Sequence, residues 1–599
     1  MTFNEFAEYL EKLEQTSSRL SLIDILSELF SKIATKEVAM ATYLIQGRVA
    51  PFYEPVEIGM AEKSVAKVIA EAYHVDLEEV NKEYGRVGDL GKVVEKLKTQ
   101  KSKIKTTIQN SKVTITEVFD ELTKIAKTSG EGTVEKRQEL LVGLVKEMSP
   151  VSAKHLVRIP LGVSRLGVGD PTILDAFAQA KLGGRKNRQV LEKAYNKTSD
   201  LGLIGQTLWK DGLKGVEKLD IEVGRPIRSQ LCERLPDAQT ILEKMGGQAH
   251  VQLKYDGYRV QVHKKGDEVR LFSRNLEETT LMMPDIIEGV LKQVKAKTVI
   301  LDSEALAYNP LSEEFLPFQE TTKRRRKYKI AEKAKEIPLK AFVFDVMYLN
   351  GHSLMGCALS ERIKKLQEVV EGDEVLKTEG RKVLSEGQVL IPEPGEITGS
   401  VERITQLFDD AITKGLEGLI VKRPDSKYEA GARNFNWVKL KRHSAGELQD
   451  TIDCVILGYI FGRGKRAEFG AGSLLVGVYN KKEDEFVTVS KIGTGLTDEE
   501  WREIHKRADK ISLDRKPARV NSILEPSIWI KPEIVIEVLA DEITKSPVHT
   551  AGKENDEPGL ALRFPRLVRF RQADKKPEDA TTVEELKEMY QQQFKSQKS

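Results

Sequence analysis

Cysteine is nearly absent: Cys232, Cys357 and Cys454 are three in 599 residues, and no CxxC pair occurs. Spaced so widely, they supply neither a disulfide framework nor a zinc cluster. Long apolar runs are absent as well, and no stretch approaches the roughly 18 uninterrupted apolar residues of a membrane span. Nor does either charge dominate. Lys and Arg number 95 against 92 Asp and Glu, a net +3, so a polyanion-binding surface has to be assembled locally. The N-terminal MTFNEFAEYLEKLEQ is amphipathic and acidic, unlike a secretory leader, which predicts an intracellular protein. At 40% hydrophobic and 31% charged the chain reads as globular, and its length exceeds one core. Three or four domains are expected.

What is present begins with local concentrations of basic residues, at Lys323 to Lys327, Arg463 to Arg466 and Arg563 to Arg571. Taken singly, such runs are more often solvated faces than phosphate tracks. Residues 1–218 carry helical periodicity almost throughout, and the region resembles itself. TFNEFAEYLEKLEQTSS from Thr2 matches TITEVFDELTKIAKTSG from Thr114; IGMAEKSVAKVIAEA from Ile58 matches LGVGDPTILDAFAQA from Leu166; YGRVGDLGKV from Tyr84 matches YNKTSDLGLI from Tyr195. Offsets of 112, 108 and 111 residues indicate one duplicated helical unit. In each half a loop opens a helix, Gly88-Asp89-Leu90-Gly91 and Ser199-Asp200-Leu201-Gly202. Backbone amides at Gly91 and Gly202 would make two similar anion sites, able to grip the two strands of a duplex without reading bases. The plain alternative is a helical scaffold doubled for packing.

From 219 the texture changes. Strand-like runs (AHVQLKY, TVILDSEALAY, KAFVFDVMYL, EGLIVKR, NWVKLKR) interleave with helical segments to 443, a mixed α/β region. Residues 444–599 hold short strands with glycine turns, predicting a small β-barrel, and end in a helical tail, VEELKEMYQQQF.

One lysine stands out in this middle region. In AHVQLKYDG, period two places Gln252 and Lys254 on one face and Val251, Leu253 and Tyr255 on the other, at the end of a strand. A lysine acts as a covalent nucleophile only when its amine is neutral, which neighbouring cations such as Arg259 and a bound metal promote. Solvation is the commoner fate of a strand lysine. Glu304 in LDSEALAY and Glu417 in EGLIVK stand at strand ends, where two hard carboxylates can hold Mg²⁺ against phosphate. Lys439 and Lys441 in NWVKLK project from one face of a strand; the alternative is an edge guarded by charge. Phe344 could stack on a purine, although a phenylalanine there is more commonly core.

These segments together resemble a known family. K-x-D-G-x-R at 254–259, SRN at 273–275, D-x-E at 302–304, FVFD at 342–345, EGLIVK at 417–422 and WVKLK at 437–441 stand in the order of the nucleotidyltransferase motifs of ATP-dependent DNA ligases. RFPRLVRFR at 563–571 resembles that family's final motif, and the duplicated helices resemble the DNA-binding domain of its archaeal and eukaryotic replicative type.

The resemblance implies a multidomain α+β chain. An all-helical DNA-binding domain (1–218) precedes a mixed α/β adenylation domain (219–443) and an OB-fold β-barrel (444–599). It implies nick sealing with ATP and Mg²⁺. Lys254 carries AMP; Gln252, Arg259, Arg274, Phe344, Lys422, Lys439 and Lys441 bind the nucleotide; Glu304 and Glu417 hold the metal or, for one of them, the ribose. Arg563, Arg569, Arg571 and Lys575 orient pyrophosphate. Phe318, Arg324 and Phe564 meet DNA, the phenylalanines pressing on the minor groove.

Departures are few. Gln252 stands where the family has glutamate to accept from the adenine amino group; its carbonyl can accept but its NH₂ can donate, so the choice of nucleotide is open. Ser303 replaces a common glycine, and RQADKKPEDATT is one residue longer than usual, which bears on Lys575. A sliding clamp is raised as a partner only by TQKSKIKT (99–106), where Lys103 and Ile104 replace two aromatics. The expected protein is a monomer on nicked duplex DNA, nucleoid-associated, away from membranes. Rival readings are an RNA ligase or capping guanylyltransferase, which the large helical region disfavours, and a non-catalytic DNA scaffold, which the full set of Lys254, Glu304, Glu417, Lys439 and Lys441 disfavours.

Overall fold

The computed structural model describes residues 1–102, 112–309, 314–315, 321, 323–324, 330–372, 388–413, 416–441, 450–461, 471–493, 496–540, 542–546, 548–554, 557–563, 565–571 and 575–595. These form two compact units, Met1–Lys441 and Arg442–Ser599.

The first unit opens with helices. The first half holds α1 (Phe3–Glu14), α2 (Arg19–Lys32), α3 (Val38–Ile45), α4 (Glu62–Tyr73), α5 (Leu77–Val87) and α6 (Leu90–Ser102). The second holds α7 (Ile115–Lys127), α8 (Thr133–Glu147), α9 (Pro150–Arg158), α10 (Asp170–Leu182), α11 (Arg188–Thr198) and α12 (Leu201–Glu217). Equivalent positions do equivalent work. Thr2 and Thr114 each start a helix with a reciprocal cap, to Glu5 and Glu117. The two starts also bond each other: Phe3 N–H donates to the Val113 carbonyl (2.8 Å) and Ile115 N–H to that of Met1 (3.1 Å).

The halves interlock rather than sit side by side. α2 packs on α10 and α3 on α12, while α8 packs on α4 and α9 on α6. Apolar residues from both halves therefore share one core, with Phe3, Phe6, Phe30 and Phe177 fully buried.

Two sheets follow within the same unit. Strand ranges are β1 (Leu231–Arg234), β2 (Ala249–Lys254), β3 (Tyr258–Lys265), β4 (Glu268–Ser273), β5 (Thr298–Asn309), β6 (Glu314–Phe315), β7 (Leu339–Leu349), β8 (His352–Ser353), β9 (Leu390–Pro392), β10 (Glu396–Thr398), β11 (Gly418–Lys422) and β12 (Arg433–Lys441). One sheet runs β1-β12-β11-β2-β10; the other runs β4-β3-β5-β7-β8, with β6 added to β5 and β9 to β7. The chain crosses between them after β2 and again between β9 and β10, and Lys254 ends the strand before the first crossing.

The second unit is strand-rich. Its strands are β13 (Ile452–Ile460), β14 (Ser473–Asn480), β15 (Glu485–Ile492), β16 (Ser512–Leu513), β17 (Val520–Asn521), β18 (Ile528–Leu539), β19 (Glu542–Ser546), β20 (Gly559–Arg563) and β21 (Arg566–Phe570). Among the described residues β16-β18-β13-β14-β15-β17 form one sheet, β21 joins β18, and β19 pairs with β20. A helix, Val583–Lys595, lies in the expected tail.

Two expectations are revised here. Gly91 and Gly202 are buried, not presented at exposed phosphate grips. A Cβ on Gly91 would stand 2.6 Å from Arg158 Nε, and one on Gly202 would run into the Tyr43 ring. The loops' own carboxylates take the leading amides: Asp89 accepts from Gly91 N–H (2.9 Å) and Asp200 from Leu203 N–H (2.9 Å). Glycine is needed for close helix packing. Arg324, expected on DNA, is buried at 2% exposure. Its guanidinium donates to Asp285 (2.9 and 3.0 Å) and to the carbonyls of Met282 and Ile337. A basic run marks charge, not exposure.

Candidate active site

Antiparallel register brings three strands of the first sheet into rows. Gly418 lies opposite Lys254 on β2 and Lys441 on β12; Ile420 lies opposite Gln252 and Lys439; Lys422 lies opposite His250 and Trp437. Successive residues alternate faces, so these three rows share one face. The other face is Val251, Leu253, Leu419, Val421, Val438 and Leu440, all in an apolar core. Burial of that face fixes the register, and with it the meeting of Lys254 with Lys441 across a glycine.

The sequence set Arg259 and a metal beside Lys254; the first partner the structure gives it is an anion. The Lys254 ammonium is paired with the Glu417 carboxylate, which also holds Lys441 at 3.1 Å. Burial alone would push Glu417 up, but Lys254 and Lys441 outweigh it and hold the carboxyl at about 2. Glu417 reaches this position because it precedes β11, with its N–H donating to the Lys254 carbonyl (3.1 Å). Lys439, half-buried in the next row, is lowered by burial and by Lys441.

Deeper in the same face, Lys422 is buried without a hydrogen bond among the described residues. Its ammonium lies 3.9 Å from the Trp437 ring centre and 4.7 Å from that of Phe344. Burial lowers it to about 8. Gln252 is committed in one direction. Its amide nitrogen donates to the carbonyls of Phe344 (3.1 Å) and Glu393 (2.6 Å), while its own oxygen is buried and has no hydrogen-bond partner among the described residues. A flipped amide would set oxygen against two carbonyls, so the free group is an acceptor.

The second sheet supplies the facing side. Phe344 is the extra residue of a β-bulge: Asp345 pairs with Asp302 and Val343 with Ser303, leaving Phe344 out of register. The bulge turns its ring toward Lys422 and Arg259 instead of leaving it in the alternating pattern. Arg259 is largely spent within the protein. It donates to both Asp302 oxygens (3.0 and 2.6 Å) and to the Gln230 carbonyl (3.0 Å), and Tyr428 O–H also donates to Asp302 (2.9 Å). Glu304 lies opposite Arg259 on β5. Burial pushes its carboxyl up to about 7, and no hydrogen bond or ion pair holds it among the described residues. An unengaged hard carboxylate of this kind fits a divalent cation.

Arg274 is exposed just past β4. In the second unit Arg569 donates to Glu537, Arg571 lies 3.1 Å from the same carboxylate, and Lys575 is paired with Asp453. Arg563 lies in β20, and Phe318 and Phe564 lie outside the described residues. Sequence reasoning missed Asp302, Trp437 and Glu393. Asp302 and Trp437 lie two residues from Glu304 and Lys439 within the quoted motifs, a spacing that already placed them on the same faces. Glu393 sits in IPEPG, where nothing local signals a role.

Family comparison agrees along the chain. Residues 2–178 match the model described as DNA ligase N terminus, 229–441 the ATP dependent DNA ligase domain and 467–575 the ATP dependent DNA ligase C terminal region. A protein described as a probable DNA ligase from Dictyoglomus turgidum is 45% identical over 595 residues, covering 99% of this chain and 98% of the relative. A DNA ligase from Sulfolobus acidocaldarius is 39% identical over 605 residues (99% and 98%), and one from Nitrosopumilus maritimus 38% over 598 (99% and 99%).

Proposed function

The chain belongs to the ATP-dependent DNA ligase family, and from that membership we propose how its own residues perform the reaction. Lys254 attacks the α-phosphorus of ATP. A P–N bond forms, the bond to pyrophosphate breaks, and the amine gives up its proton. The 5′-phosphate of a nick then attacks the same phosphorus and releases the lysine. Finally the 3′-hydroxyl attacks the 5′-phosphorus and AMP leaves. The observation that carries this reading is the row Lys254–Gly418–Lys441, closed by Glu417 and bordered by Lys422, whose ammonium has no hydrogen bond among the described residues.

Around that row each group has a task. The Gln252 oxygen accepts from the adenine amino group, and Phe344 and Trp437 border the base. Lys422, Lys439 and Lys441 offer cations to phosphate, where a charge-assisted bond is stronger than a neutral one. Arg259, held by Asp302, presents its remaining surface to the ribose, and Arg274 meets the 5′-phosphate. Glu304 and Glu417 would hold Mg²⁺, which offsets charge on the phosphoryl oxygens. Lys254 and Lys441 both sit against one Glu417 oxygen, Oε2, and the other oxygen is the one that would meet the metal. In the second unit Arg563, Arg569, Arg571 and Lys575 orient pyrophosphate, once Arg569, Arg571 and Lys575 are drawn from Glu537 and Asp453.

The helical region would carry the duplex through phosphates, with Phe318 and Phe564 at the nick. The same reading makes the protein an intracellular monomer on the nucleoid. No helix among the described residues is long and apolar enough to cross a membrane. A clamp contact would rest on 99–106, of which 103–106 lie outside the described residues.

The direct test is incubation with α-labelled ATP and Mg²⁺. Wild type takes an acid-labile protein label and Lys254→Ala takes none, a loss of at least about a thousandfold. A label retained on Lys254→Ala overturns the assignment. Sealing of DNA against RNA nicks with ATP, ADP, GTP and NAD separates the remaining acceptor and nucleotide choices.

A further inference from the structure

Where the chain crosses from β9 to β10, it passes beside the other crossing, which begins at Lys254. The passing segment is Pro392-Glu393-Pro394-Gly395. Glu393 is fully buried, and its N–H donates to the Val343 carbonyl of β7 (2.8 Å), so it is anchored in the second sheet. From there it reaches three residues around the reactive lysine in the first. One carboxylate oxygen accepts from Leu253 N–H (3.3 Å) and the other from Tyr255 O–H (2.8 Å). Its backbone carbonyl accepts from the Gln252 amide (2.6 Å). Leu253 and Tyr255 are the residues immediately before and after Lys254. Tyr255 is itself stacked on Phe342 of β7, with ring centres 3.9 Å apart and planes 20° apart.

Such an arrangement does more than fill space. A buried carboxylate is costly unless each oxygen is engaged, and here the engagement flanks a single residue. Lysine has four rotatable bonds, so the direction of its attack is set by how firmly its backbone is held. We propose that Glu393 is a positioning residue for the nucleophile: its two carboxylate oxygens clamp the residues on either side of Lys254, and its anchor on β7 ties that clamp to the strand carrying Phe344. The inference rests on Lys254 being the nucleophile.

A division of effects follows from the geometry. The backbone carbonyl that holds Gln252 survives any substitution at 393, so the contact to the base persists. The carboxylate that flanks Lys254 does not. Glu393→Gln keeps the shape and one good acceptor, but its NH₂ faces the other donor. Glu393→Ala keeps neither acceptor. Tyr255→Phe keeps the stack on Phe342 and removes only the hydroxyl.

The test measures enzyme–AMP formation at saturating ATP, KM for ATP, and sealing of a pre-adenylylated nick, beside thermal melting of each variant. The expected fall in kcat of the first step is about tenfold for Glu393→Gln and Tyr255→Phe and about a hundredfold for Glu393→Ala. KM should move less than about threefold, and sealing of the pre-adenylylated nick should keep within about threefold of wild type. A folded Glu393→Ala with unchanged enzyme–AMP formation overturns the proposal, as does an equal loss in every step, the mark of general loosening. A label that persists on Lys254→Ala overturns the nucleophile assignment instead, so the two failures are told apart.

Discussion

Around Arg158 the helical region buries three other charged or titratable groups, Asp89, Lys154 and His155, and gives each a partner. The Arg158 guanidinium donates to both Glu14 oxygens (2.7 and 2.9 Å) and is paired with Asp89; Lys154 is paired with Glu11 and lies 3.1 Å from Glu14; His155 lies 3.1 Å from Glu11. Around Lys422 the strand region holds a buried ammonium with aromatic faces against it and a buried Gln252 oxygen, neither with a hydrogen bond among the described residues, and a Glu304 carboxylate pushed up to about 7 by burial. Both regions bury charge, and the second pairs some of it, Arg259 with Asp302 and Arg362 with Asp345, but leaves the Lys422 ammonium without a hydrogen bond among the described residues. Unsatisfied buried groups cost stability, so a fold keeps them where something outside the chain completes them. The Glu11, Glu14 and His155 cluster could be read as a metal site from its composition alone, but Lys154 and Arg158 already balance it. Charge that is complete needs no ligand.

The contrast can be broken by substitution. Arg158→Met takes the guanidinium from the buried Asp89 carboxylate and from half-buried Glu14, leaving the one with Gly91 N–H and the other with Lys154. The expected cost is about 3–5 kcal/mol in denaturant unfolding, with enzyme–AMP formation unchanged in the folded fraction. A loss under about 1 kcal/mol would remove the helical half of the comparison.

Lys422→Met should behave in the opposite sense. Removing an ammonium that lacks a hydrogen bond leaves stability unchanged or raises it by about 1–3 kcal/mol. ATP binding, measured calorimetrically, should weaken by about tenfold to a hundredfold. If stability drops while ATP affinity holds, Lys422 is structural and the distinction between the regions fails.

Acid sharpens the comparison least but separates its signs. The hydrogen bond with His155, with Lys154 adding to it, holds Glu11 at about 2. Its folded value lies below its unfolded one, so its contribution is present above about 4.5 and is lost as pH falls toward 2. Glu304, raised to about 7 by burial, runs the other way: its contribution is present below about 4.5 and is lost as pH rises through 7. Hydrogen exchange should therefore lose protection in α1 and α9 between pH 4.5 and 2, while β5 shows no matching loss. Parallel losses in both would contradict the assignment.

Much of the site was readable from local pattern. Alternation alone placed Gln252 with Lys254, and Lys439 with Lys441, on one face of their strands, because a side chain's direction in a strand depends only on parity. The match of TFNEFAEYLEKL with TITEVFDELTKI announced equivalent helix starts, and the caps Thr2–Glu5 and Thr114–Glu117 stand there. Other features were hidden for definite reasons. Arg324 belongs to a basic run, but its fate was decided by Asp285, a residue well removed in the chain. Gly91 and Gly202 looked like phosphate loops, yet what stands against them, Arg158 and Tyr43, comes from other helices. The pairing of Glu417 with Lys254 was missed because Glu417 was assigned to the metal or the ribose, and the sequence does not say which cation a carboxylate meets first.

The amino-acid order by itself determined the helical duplication, the strand parity around Lys254 and the family to which the motifs point, since each is expressed within a few neighbouring residues. Tertiary structure decided the row that joins Lys254 to Lys441, the bulge that turns out Phe344, and the reach of Glu393 across two sheets. Those depend on register between distant strands, which is set by burying one apolar face and cannot be read from either strand alone.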